Sequence, residues 1–87
     1  MTKLQLRTDG LTWREVAGDL IVLDLDRSVY LASNASGAVL WKALVQGSTR
    51  AELADLLVAM FGIAPASARV DVDDFVAHLS ELGLLEP

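Results

Sequence analysis

The sequence predicts an α+β domain, a three-stranded antiparallel sheet followed by three helices, and three observations carry that reading. Residues 11–32, LTWREVAGDLIVLDLDRSVYLA, are short alternating runs broken by turn residues, the pattern of a β-meander. Residues 34–83 hold three stretches of helical periodicity, each bounded by capping or stop residues. All strand-like segments precede all helix-like ones in a chain of 87 residues, 53% of them hydrophobic, which suits one core and excludes an alternating α/β arrangement.

The first strand is read as Leu11 to Ala17, with a turn at Gly18-Asp19. The second runs from Leu20 to Leu25. Its alternation is taken to place Ile21, Leu23 and Leu25 on the core face and Asp24 on the other, as a half-buried antiparallel sheet requires. After a turn at Asp26 to Ser28, the third strand spans Val29 to Ala32. Lys3 to Arg7, with Leu4 and Leu6 on one side, forms a further short strand candidate. Asn34 is an N-cap for a helix reaching Gln46, with Gly37, Leu40, Trp41 and Leu44 on one face and Gly47 as the stop. Thr49 and Glu52 make a capping box for the second helix, whose stripe of Leu53, Leu56, Leu57 and Met60 ends at Gly62. Pro65 opens the third, with Val72, Phe75, Val76, Leu79 and Leu82 on one side and Gly83 beyond. Asp71, taken to lie near its start, suits the helix dipole. A helical cluster backed by a small sheet is a winged-helix-like layout, and the whole chain, residues 1–87, reads as one domain.

Charge and composition limit the function. Residues 1–47 carry five basic and five acidic side chains, whereas residues 48–87 carry two basic, Arg50 and Arg69, against seven acidic, so the net charge of -5 lies in the C-terminal half. Winged-helix folds invite a DNA-binding reading. Here the helix that would enter the groove is acidic and would be repelled by phosphate before reading a base. With no cysteine there is no thiolate chemistry or disulfide framework, and no apolar run approaches a membrane span. A cytoplasmic protein without membrane or nucleic-acid partners is expected. His78, the one histidine, would have to anchor any acid–base catalysis, and no motif supplies it with a partner. Asp24 with Asp26, and Asp71 with Asp73 and Asp74, lack the glycine hinge and terminal glutamate of a calcium loop, and solvated charge explains them better. No metal or cofactor is therefore expected. Trp13 and Trp41 are read as core residues. Tyr30, between Val29 and Leu31, points to the opposite sheet face as a partly exposed aromatic.

With these residues placed, the chain resembles the PqqD-like family, the recognition elements that bind leader peptides of ribosomally synthesised precursors. The resemblance rests on VLDLDRSVYLASNASGAVLW, including Asn34, Ser36, Gly37, Ala38, Leu40 and Trp41, then on GSTRAELADLLVAMFGI and the closing DVDDFVAHLSELGLLE. Ser33 departs from the pattern, since relatives commonly carry leucine before the asparagine. Membership implies a winged-helix-like fold without catalytic activity. It implies capture of a precursor's leader region as a β-strand added beside the third strand, in a groove shared with the third helix. The leader would then be delivered to a partner maturation enzyme, a leader peptidase or a radical-SAM-type modifying enzyme. Stand-alone members that serve lasso peptide biosynthesis are the most similar. The pyrroloquinoline quinone and mycofactocin peptide chaperones share the scaffold, and a winged-helix DNA-binding regulator is the alternative of another class. On this reading the peptide-binding residues are Arg27, Ser28, Val29, Tyr30, Leu31 and Ala32 of the third strand and its turn, with Asp71, Asp74, Phe75, His78, Leu79 and Leu82 of the third helix.

The third strand has one further feature that needs no resemblance. It is the last strand of a meander and is followed by a helix, so one side of its backbone lacks a partner. Such edges are ordinarily blunted by charge or proline, and Val29 to Ala32 has neither. Either the N-terminal tail covers the edge or it is kept open for a peptide.

Overall fold

The computed structural model describes residues 3–7 and 9–86. It contains β1 (Leu11–Val16), β2 (Asp19–Asp24), β3 (Val29–Ser33), α1 (Ala35–Gln46), α2 (Arg50–Phe61) and α3 (Pro65–Glu81). The strands form an antiparallel sheet in the order β1-β2-β3. Val16 pairs with Asp19 across the first turn, and Asp24 pairs with Val29 across the second. The first turn is therefore Ala17-Gly18, one residue earlier than expected. Both residues have positive φ, 53° and 87°, the sign pattern of a type I′ hairpin turn, which asparagine and glycine adopt more readily than alanine.

The sheet presents to the core the face opposite to the one expected. Leu20, Val22 and Asp24 are buried, Ile21 and Leu23 are half-exposed on the outer side, and Leu25 leaves the strand for the turn, 82% exposed. What permits a carboxylate on the inner face is its partners. Asp24 receives the Arg7 guanidinium at 3.3 Å and the Arg27 backbone N–H at 3.2 Å, and the Arg27 side chain lies 3.7 Å away. A buried charge so paired and hydrogen-bonded is tolerated where an orphan would not be.

The helices start and stop where their caps dictate. Asn34 accepts from the Gly37 N–H, and Gly47 closes α1. The Thr49–Glu52 box is reciprocal, and the Thr49 backbone N–H, with its hydroxyl second, holds the Glu52 carboxyl below the usual carboxylate range. Gly62 ends α2 in the left-handed conformation. Pro65 begins α3, which puts Asp71 two turns in. The first turn of α3 carries no acid, so the dipole argument for Asp71 fails.

Leu40, Trp41 and Leu44 of α1 meet Leu20, Val22 and Leu31 of the sheet and Leu53 and Leu57 of α2 in one core, to which α3 adds Ala68, Val72, Val76 and Leu79. The buried stripe of α2 is rotated from the expected one. Ala54 is buried with Leu53 and Leu57, while Leu56 is half-buried and Met60 is 59% exposed. Small Ala54 and Ala68 lie inside the core that α2 and α3 share, where short side chains let helices approach closely. Trp41 is buried, but Trp13 is not the core residue expected. It sits at the rim, 37% exposed, with its ring edge-on to Trp41 at 6.3 Å.

Lys3 to Arg7 does not join the sheet. Leu4 exchanges backbone hydrogen bonds with Ser48, Arg7 donates to the Leu84 carbonyl, and Glu86 donates to that of Gln5. This places Leu6 in the core and ties the two ends of the chain together. Among the described residues, no backbone group outside β2 is hydrogen-bonded to β3.

Two measurements check this architecture. Ala17→Asn should raise stability by about 0.5–1 kcal/mol, as a shifted urea midpoint with unchanged slope, because only the left-handed strain is relieved. Asp24→Ala should destabilise by about 2–3 kcal/mol, since it removes the carboxylate that both the Arg7 guanidinium and the Arg27 backbone N–H bond, whereas Leu25→Ala should stay within about 0.5 kcal/mol. The reverse order would restore the face expected from the alternation.

Candidate functional site

Helix α3 lies beside β3 with a groove between them at the Ser33 end, and two fixed points set how the walls lie. At one end Phe75 packs against the start of α1: a Cβ on Gly37 would stand 3.2 Å from the Phe75 ring and 1.8 Å from Ser33 Oγ. At the other end Arg7 donates through Nε to the Gly83 carbonyl at 2.9 Å and through a terminal nitrogen to Asp24, the cross-strand partner of Val29. The helix therefore runs antiparallel to β3, with Phe75 beside Ser33 and the C-terminal end of α3 beside Val29.

Of the residues expected to bind peptide, the backbone of Val29 to Ala32 supplies the free edge. Strand β3 extends to Ser33 and excludes Ser28, which sits in the turn with φ 57°. Arg27, also in the turn, is half-exposed beside Asp24. Val29 is half-buried and shares the inner side with Leu31, whose side chain is sealed in the core. Tyr30, 61% exposed, and Ala32 point to the outer face, with the sheet between them and α3.

On α3 the core face and the groove face separate cleanly. Val72, Val76 and Leu79 are buried, Phe75 and Leu82 are half-buried, and Asp71, Asp74 and His78 are exposed. Leu79, fully buried, supports the wall without reaching the groove. Phe75 and Leu82 are therefore the apolar side chains α3 can offer, with Val29 opposite.

At the Phe75 end the groove deepens into a cleft of about 350 Å³, lined by Ser33, Asn34, Ser36, Gly37, Leu40 and Leu57 as well as Asp71, Asp74 and Phe75. The first six of these were not among the residues expected to bind, nor was Arg7 at the other end. One signal was present for the cleft. Gly37 lies inside a helix with ordinary backbone geometry, and a glycine there marks close approach, here of Ser33 and Phe75. On the outer face a second hollow, about 400 Å³, is bounded by Val16, Ile21, Tyr30 and Ala32.

Among the described residues no group of three histidine or acidic side chains is placed to hold a metal ion. His78 is exposed and takes part in none of the side-chain hydrogen bonds described above. No helix of the described residues is long and apolar enough to cross a membrane.

Comparison with known proteins agrees with this fold. The fold matches TbiB1 in complex with the TbiA(beta) leader peptide, with a TM-score of 0.82 at 23% identity over 94% of each chain. It also matches lasso peptide synthetase B1 complexed with the leader peptide, with a TM-score of 0.82 at 22% identity over 99% of this chain and 100% of that one. Comparison with curated proteins finds no match. Residues 19–85, from β2 to the C-terminal tail, match the family described as coenzyme PQQ synthesis protein D. With most of its length covered by that match and its meander and three helices in the same order, the chain belongs to the PqqD family.

Proposed function

We propose that this chain, acting as one leader-binding domain over residues 1–87, captures the leader region of a ribosomally synthesised precursor peptide as a fourth strand on β3. It does so without catalysing a reaction and presents the peptide to a separate leader-cleaving or modifying enzyme in the cytoplasm. The observation that carries the reading is the unpaired β3 edge, free of charge and proline along Val29 to Ser33 and facing the groove beside α3. Two solved proteins of the same fold have leader peptides bound, and one of them is lasso peptide synthetase B1. That favours lasso peptide biosynthesis over a pyrroloquinoline quinone or mycofactocin role.

The energetics assign the affinity to side chains. Some four backbone hydrogen bonds contribute about 1 kcal/mol each. Ordering roughly six peptide residues costs about 1 kcal/mol or more apiece. The ladder thus fixes register and direction but does not hold the peptide. Two or three apolar anchors, each contributing about 1.5–3 kcal/mol when buried, supply the difference against Val29, Phe75 and Leu82. The DNA-binding alternative fails on charge, since the groove face of α3 offers Asp71 and Asp74 to solvent and its Arg69 has few basic neighbours.

The test is binding of a synthetic leader, taken from a precursor frame adjacent to the coding sequence, to the purified chain. Amide exchange at Val29 to Leu31 should slow on addition, the heat-capacity change should be negative, and Phe75→Ala should weaken binding by about tenfold or more. Binding with unaltered exchange along β3 would place the peptide elsewhere. Tight, salt-sensitive binding of random duplex DNA would instead favour the regulator reading.

A further inference from the structure

We propose that the cleft at the Ser33 end of the groove is a specificity pocket for a lysine or arginine carried by the captured peptide, on the N-terminal side of its strand-forming segment. The inference rests on strand addition at β3 and names the chemistry that the site selects.

The cleft is apolar below and anionic at its mouth. Leu40 and Leu57 are fully buried at its base, and the half-buried Phe75 ring forms one side. Asp71 and Asp74 are exposed at the rim, three residues apart on α3 and therefore on one helix face. Neither has an ion-pair partner among the described residues. Asp73, between them, is held by Arg50 at 2.8 Å, and Asp24 has both Arg7 and Arg27. Two like charges at this spacing repel each other in the free protein, and an occupant that neutralises them gains what they lose.

A side chain with an aliphatic stem and a cationic head meets both requirements, its methylenes against the Phe75 ring above the buried Leu40 and Leu57 and its head at the two carboxylates. An acidic occupant would be repelled. A wholly apolar one would draw the carboxylates out of water with nothing to compensate them. The N-terminus of α1 borders the same cleft and works against a cation, but its dipole amounts to about half a charge, and Asn34 already accepts its Gly37 N–H. Two full negative charges outweigh it.

Direction follows from the sheet. All strand pairs are antiparallel, and β3 runs from Val29 to Ser33. A fourth strand that continues the meander enters at Ser33 and leaves at Val29, past the Arg7 strap. Its N-terminal residues lie over the cleft, upstream of the anchors that face Val29 and Leu82.

The experiment is selection of a random library of peptides about a dozen residues long against the full chain and against an Asp71→Asn/Asp74→Asn variant. Both substituted side chains are exposed and their mutual repulsion is relieved, so the variant's melting temperature should not fall. The wild type should enrich apolar anchors with lysine or arginine at a fixed position N-terminal to them, and the variant should keep the anchors and lose the basic position. Replacing the selected lysine by glutamine should weaken binding to the wild type about fivefold in dilute buffer, less at high salt, and hardly at all to the variant. Asp74→Lys should shift the preference at that position toward acidic residues. Anchors enriched without a basic position, a basic position C-terminal to them, or a basic preference that survives in the variant would overturn the inference and leave strand addition standing. Failure to enrich any peptide would overturn both.

Discussion

The groove depends on one buried carboxylate. Asp24 ends β2 on the inner face of the sheet, where Arg7 reaches it from the N-terminal segment and Arg27 folds back onto it from the turn into β3. The same Arg7 guanidinium holds the Gly83 carbonyl just beyond α3, and its backbone N–H holds that of Leu84. A single side chain thus joins the start of β3 to the end of α3. At the opposite end the walls meet through Phe75, Gly37 and Ser33. Between these points the described residues place no backbone hydrogen bond from strand to helix. The separation is therefore set at the two ends.

That arrangement explains why the N-terminal segment lies where it does. Had Leu4 and Leu6 paired with β3, the sheet would have closed on itself and the groove would have been filled from within. Instead the segment bonds to Ser48 and Leu84, buries Leu6, and brings Arg7 to the end of the groove. An uncovered edge without charge or proline is an aggregation hazard. Its brevity, five residues, and its position beside an acidic helix limit that hazard while preserving access for a peptide.

The parts of the fold legible in the sequence are those specified locally. Asn34, the Thr49–Glu52 box, Gly47, Gly62 and Pro65 each fix a helix end through atoms within a few residues, and the helices end where these residues stand. The core face of β2 was not legible. Ile21, Leu23 and Leu25 outnumber Leu20 and Val22 as apolar residues, and the alternation cannot weigh a paired aspartate against a leucine. The decision belongs to Arg7, seventeen residues away. The free edge of β3 could be read from strand order, and the buried face of α3 from its helical period. Of the cleft, only the glycine inside α1 was legible, because its walls are brought together from α1, α2 and α3.

Strand addition is tested most directly by methylating, one residue at a time, the backbone nitrogens of a leader peptide that binds. Each methyl group removes one N–H donor and leaves every side chain in place. In an edge pairing, alternate residues direct their N–H toward the neighbouring strand and the others direct it away. Affinity should fall at every second position over the segment apposed to Val29–Ser33 and change little at the positions between. A profile without that alternation, or one in which no methylation weakens binding, would contradict capture of the peptide as a fourth strand.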